Sequence, residues 1–277
     1  HAVRLAKVRC ETNAQACLNC PCAPDSPRIG ARAIPCRRRG GDSLASPIPL
    51  IRLGAGAPLV RQLRLEGHDA DGIVRAAGLP TDVRGQACAA VSFHDMLALF
   101  RRAAAVAGPD VGSRAGTMEG LADMVSVAVP LRRGHDVRSA LREVEQGFSR
   151  HASHEQLSVT VEGGEMVVRD RMFFRLSAID SHLGQQYVAA FVVSLVEQVA
   201  ADLRPRVRVM LPPHPAFGLG HLQARFGPGL AAGPARVMEV RAPVELLDRP
   251  MPWAQGGEAE AMPDIDYLVG SGPMAEA

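Results

Sequence analysis

The stretch "QLSVTVEGGEMVVRDRMFFRL", Gln156–Leu176, is where the chain changes its period. Upstream, apolar residues recur every three or four positions. Here they alternate on both sides of Gly163-Gly164, a two-residue turn signal between two strands. Leu157, Val159 and Val161 share one face of the first strand. Met166, Val168, Met172, Phe174 and Leu176 share one face of the second. Arg169, Arg171, Phe173 and Arg175 fall on the opposite face. A hairpin with one apolar face needs a helical layer to cover it.

That layer is legible on both sides. Upstream, Val60, Leu63 and Leu65 begin a helix that stops at Gly67, and Asp69 or Asp71 starts a second that ends at Gly78-Leu79-Pro80. Ser92 caps a longer helix, with Phe93, Met96, Leu97, Phe100 and Ala103 on one side. Leu121–Val129 reads as a helix ended at Pro130. Asp136 caps the next, whose Val137, Leu141, Val144 and Phe148 form a core-facing stripe. Downstream, Asp180 or Ser181 is expected to start the longest helix, to about Asp202. Its rows Leu183, Tyr187, Phe191, Leu195, Val199 and Val188, Val192, Val196 demand burial on more than one side. Pro205 then resets the chain into the strand "RVRVML". A short helix through Phe226 follows, then a last hairpin from Leu230–Ala232 and Arg236–Val240, and the turn "VELLD". The expected class is α+β: a helical N-terminal half packed on a small antiparallel sheet with a long central helix.

Composition bounds the function. The 277 residues carry a net charge of +2 and are 47% hydrophobic, so the chain is no generic polyanion binder and has ample material for a core. Residues 1–50 hold eight Lys/Arg against three Asp/Glu, and also Cys10, Cys17, Cys20, Cys22 and Cys36. Cys17-x-x-Cys20 has the spacing of one zinc ligand pair, but no second pair completes a knuckle. Residues 1–52 therefore read as a disordered basic tail, with no metal and no cofactor. The run Tyr187–Val196 is half the length of a membrane span, and a cytoplasmic location is expected.

No motif points to catalysis. His151 and His154 stand three apart with no third ligand placed by spacing. The Gly-rich segments lack a Gly-Lys-Ser/Thr ending, and Asp180-Ser181-His182 are contiguous and cannot form a triad. The chain reads as a binding protein rather than an enzyme. Phe174, Tyr187 and Phe191 are the candidate lining residues of a pocket between the sheet and the long helix. Arg169, Arg171 and Arg175, joined by Arg206 and Arg208, are a candidate face for an anion or an acidic partner, against the simpler reading of a solvated sheet face.

The order of elements resembles a known family. The strand reaching His214-Pro215, the helix ending Phe226-Gly227 and the series Leu247-Asp248-Arg249-Pro250-Met251-Pro252 are similar to the end of the effector domain in AraC-type transcriptional regulators with an arabinose-binding-like N-terminal domain. "VSFHDMLALFRRAAAVAGPDVGSRAG" resembles that family's first long helix and the turn after it, here Gly108-Pro109-Asp110-Val111-Gly112. The resemblance spans about Leu59 to Trp253. It implies a ligand-sensing and dimerisation domain over 53–253, a small-molecule effector of unknown identity and a homodimer. DNA contact is implied only through a C-terminal helix-turn-helix module absent from this chain. The alternative is a stand-alone small-molecule or protein binding module without DNA contact. Two departures are visible: residues 254–277 read as a linker or frayed tail, and Pro228–Ala232 are small where the family has a more substantial strand.

Overall fold

In the computed structural model the described residues run from 48 to 253, so the cysteine-rich segment and residues 254–277 lie outside them. The chain opens with β1 (Leu50–Arg52), a 3-10 turn (Leu53–Gly56), α1 (Ala57–Leu65) and α2 (Ala70–Ala76). It continues with β2 (Ala90–Ser92), α3 (Phe93–Ala107), α4 (Val111–Ala115), α5 (Met118–Leu121), α6 (Val125–Arg133) and α7 (Val137–Gly147). Then come β3 (Glu155–Glu162), β4 (Glu165–Met172), α8 (Ala178–Val199), β5 (Arg208–Leu211), α9 (Gln223–Phe226), β6 (Leu230–Ala232) and β7 (Val237–Pro243). The class is α+β, as expected. β1 and β2 form a small antiparallel sheet, and the other five strands form a second sheet in the order β3-β4-β7-β5-β6.

Local chemistry explains most of the element ends. Asp69 caps α2 by accepting from Gly72 N, and Ser92 caps α3 by accepting from His94 N. Asp136 and Ser139 form a reciprocal capping box at the start of α7. Gly163 and Gly164, at φ +57° and +81°, make the left-handed turn that joins β3 to β4, in a register running from Glu162↔Glu165 to Glu155↔Met172.

Helix α8 is the middle layer. Helices α3, α4 and α5 pack on one side of it, and β4, β5 and β7 on the other. Fifteen of its 22 residues are buried, which accounts for its apolar rows. Gly116 lets the end of α4 touch it: a Cβ there would stand 2.4 Å from the Cβ of Ala190. Helix α7 covers β3, with Val137, Ala140, Leu141 and Val144 buried.

Four expectations are corrected. Pro130 does not end a helix but sits inside α6; the actual break is at Asp123-Met124, between α5 and α6. Helix α8 starts three residues earlier than Ser181, because Ser177 is the cap, accepting from Asp180 N at 3.1 Å. The last two strands are not a hairpin: β5 lies between β6 and β7, and β6 pairs with it in parallel. Residues 50–52, placed in the tail, form β1, and Arg52 is 1% exposed.

Candidate functional site

A cavity of about 110 Å³ opens where α8, the sheet, α3, α6 and α7 meet. Its wall is almost all carbon. Helix α8 supplies Tyr187, Val188 and Phe191 from the rows seen in the sequence, and the sheet supplies Leu157, Val168 and Met172. Tyr187 is locked in place: its hydroxyl donates to the Ala55 carbonyl at 2.7 Å, and burial pushes its pKa well up. Its ring meets Phe100 and Phe191 edge-on, with centroids 5.0 and 4.7 Å apart.

The polar end of the wall is made by two side chains, Glu155 and His151. Glu155 is the first residue of β3, and its side chain is 5% exposed. One carboxylate oxygen faces His154 Nε2 at 3.2 Å, and the other ring nitrogen of His154 faces the Leu50 carbonyl at 3.2 Å. Both nitrogens of His154 thus face oxygen atoms. His151 Nδ1 lies 2.8 Å from Ser126 Oγ. Burial, the dominant influence, lowers the His151 pKa to about 4, so this ring is neutral at neutral pH. Ser126 is not part of the cavity wall, so its hydroxyl is not presented to a molecule inside.

Behind the wall lies a group that charge alone would place outside. Asp170 shares the inner face of β4 with Met166, Val168 and Met172, opposite Leu157 and Met238. It is fully buried, and neither carboxyl oxygen has a hydrogen-bond partner. Burial first, then the charge of Glu155, raises its pKa well above the usual carboxylate range. Gln185 of α8 is also fully buried with both amide atoms unpartnered. Arg52 donates from Nε to the Arg150 carbonyl at 3.0 Å and from Nη1 to the Cys88 carbonyl, while Nη2 has no partner.

The remaining candidates fall elsewhere. Phe174 lies beyond the end of β4, stacked edge-on against Phe93 and His154 at 5.4 and 5.1 Å, and is not part of the cavity wall. Arg169, Arg171 and Arg208 share the outer face of the sheet with Arg241, but that face carries its own carboxylates. Arg169 grips both oxygens of Glu162, at 2.6 and 2.8 Å, and reaches Glu239 at 2.6 Å. Arg241 joins the same two carboxylates, and Arg208 pairs with Glu165. Arg171 is exposed at the strand's end; Arg175 and Arg206 lie outside the strands, and Arg206 pairs with Glu245 at 2.5 Å. Arg169 therefore has its own carboxylates, and they occupy the donors an outside anion would need.

A second histidine group sits at the first turns of α8. His182, fully buried, has Nδ1 2.8 Å from the Pro212 carbonyl and Nε2 3.0 Å from Nε2 of His221. The carbonyl can only accept, so Nδ1 of His182 carries the proton and its Nε2 accepts from His221. His221 Nδ1 is then a buried lone pair with no partner. Burial holds the His182 pKa down to about 4. Among the described residues no group of three or more His, Cys, Asp or Glu has a metal-holding arrangement, and no helix is long and apolar enough to cross a membrane.

No family model matches the chain, and no curated protein matches it. Among solved structures the chain is similar to the transcriptional regulator CdpR from Pseudomonas aeruginosa, at 16% identity with a TM-score of 0.49. That match covers 73% of this chain and 58% of CdpR, so the chain spans less than two thirds of that protein's length.

Proposed function

We propose that residues 53–253 are a ligand-sensing domain, and that the cavity between α8 and the sheet is where the ligand binds. The observation that carries this reading is the position of the cavity. Helices α3, α6, α7 and α8 and strands β3 and β4 all contribute to its wall, so a ligand touches every layer at once. Filling it biases how α8 sits between the helices and the sheet, and a ligand shifts such an equilibrium only by its differential affinity for the two arrangements. The ordered series of motifs from Leu59 to Trp253 extends the reading: the domain belongs to an AraC-type regulator, dimerises, and sets the activity of a DNA-reading module.

Sensing is favoured over bond-making by the wall itself. Its apolar lining excludes water, while Ser126, the hydroxyl hydrogen-bonded to His151, forms no part of the wall. The test is calorimetric and thermal titration of the full chain with benzene-scale compounds, beside sedimentation of the same samples. A true ligand at a hundred times its Kd raises stability by about 2.7 kcal/mol. Val188→Phe, which fills the space, is expected to abolish that gain. Turnover of an ester or phosphate substrate that disappears with His151→Ala would sink the reading in favour of an enzyme.

A further inference from the structure

We infer that the cavity takes a small molecule with an apolar body about the size of a benzene ring and a hydrogen-bond-donating head, a primary ammonium above all, and that Glu155 receives the head. This rests on the cavity being a ligand site. Size comes first. An apolar cavity of about 150 Å³ holds a benzene molecule, so at about 110 Å³ this one is tight for a body of that scale, and the wall must yield a little to take it. The body meets Val168, Met172 and Phe191, and the Tyr187 hydroxyl beside them is already committed to the Ala55 carbonyl.

The head is read from what the polar end lacks. Glu155 is buried on the wall, yet only one of its oxygens has a protein partner, His154. The other has no hydrogen-bond donor among the described residues, so it is free to accept one from a molecule in the cavity. An N–H donor from a ligand supplies it, and a charged donor forms the stronger, charge-assisted bond. His151 adjusts to the same head, because a neutral ring accepts at one nitrogen and donates at the other. Asp170, behind the wall opposite Leu157, is unpartnered and close enough to Glu155 to feel its charge.

The nearby cation does not reverse this. Arg52 has two of its three guanidinium nitrogens on backbone carbonyls and does not form part of the wall.

The test compares three ligands of one shape on the full chain at pH 7.5: benzylamine, toluene and benzoate, by titration calorimetry and thermal shift. Benzylamine is expected to bind at least about tenfold more tightly than either other compound. Glu155→Gln is expected to bring it within about twofold of toluene, with toluene binding unchanged. Benzoate or toluene binding as well as benzylamine to the unmodified protein overturns the head-group assignment and leaves the cavity a ligand site. Binding of none of the three overturns both. The ranking on the unmodified protein decides the matter even if the Glu155 variant does not fold.

Discussion

Arg169 and Asp170 are neighbours in the chain and opposites in environment. On the outer face of β4, Arg169 is held by two carboxylates and Arg241 by the same two, a cross-strand lattice built by the register Arg169↔Glu239. On the inner face, one residue on, Asp170 is buried with no partner at all. Outside, the lattice charges answer one another, water screens the pairs, and each contributes little. Inside, Asp170, Gln185 and part of Arg52 are among the buried groups that go unanswered, where each costs most. Stability and function separate the same way: what a ligand or a pH change can alter lies on the inner face.

The largest effect should come from the wall. Phe191 is 8% exposed and packs against Tyr187 as well as lining the cavity. Phe191→Ala enlarges a space that cannot collapse, because α8 is held from both sides, and is expected to cost about 3–5 kcal/mol in urea unfolding. Phe173, 60% exposed just beyond β4, is the control; Phe173→Ala is expected to change stability by less than about 0.5 kcal/mol. Equal losses at the two sites would end the distinction between faces.

Acid should act from inside. The folded pKa of His151 is about 4, below the 6.5 of an unperturbed histidine. Between those values the unfolded chain takes up a proton that the folded one refuses. Stability is therefore lost as pH falls from 6.5 to 4, by at most about 3 kcal/mol for this residue. His182, also held to about 4, acts with the same sign. On the outer face Glu162, drawn down to about 2 chiefly by its hydrogen bonds from Arg169, keeps its charge throughout that window. Urea unfolding at pH 7.5 and 5 checks the loss, and His151→Asn should remove its share of it.

Asp170 has the opposite sign. Its folded pKa is raised, so its contribution is intact below the unfolded value of 3.8 and is lost as pH rises towards the folded one. Asp170→Leu removes an unpartnered carboxyl group from an apolar surround. It is expected to stabilise the fold by about 1–3 kcal/mol at pH 7.5 and by less at pH 5. The same variant should deepen the acid loss due to the histidines, which Asp170 partly offsets.

The contrast between faces was half legible in the sequence. Period-2 alternation put Met166, Val168 and Met172 inward, and that parity places Asp170 inward too; its charge hid the inference. The four-residue rows of α8 placed Tyr187 and Phe191 on one side, and that side is the cavity wall. Phe174 misled because alternation continues past Met172, whereas the ladder does not: its last partners are Glu155 on β3 and Val237 on β7. The place of β6 was not legible, since Leu230–Ala232 is one leucine and two alanines without alternation and its parallel pairing to β5 is set by distant chain. Pro130 looked like a stop because proline costs a helix one hydrogen bond, but α6 carries it within a nine-residue helix.

The smallest effect is expected on the outer face, and it tests whether the lattice is structural at all. Arg169→Gln removes the guanidinium that joins Glu162 to Glu239, while Arg241 remains within reach of both carboxylates. The loss is expected to shift Tm by roughly a degree or two and to shrink further in high salt, as screened pairs should. Ligand binding in the cavity should be unchanged, because no atom of Arg169 forms part of its wall. If instead Arg169→Gln weakened benzylamine binding as much as Glu155→Gln does, the two faces would be coupled through β4. The strand, rather than either face alone, would then be the element that the ligand moves.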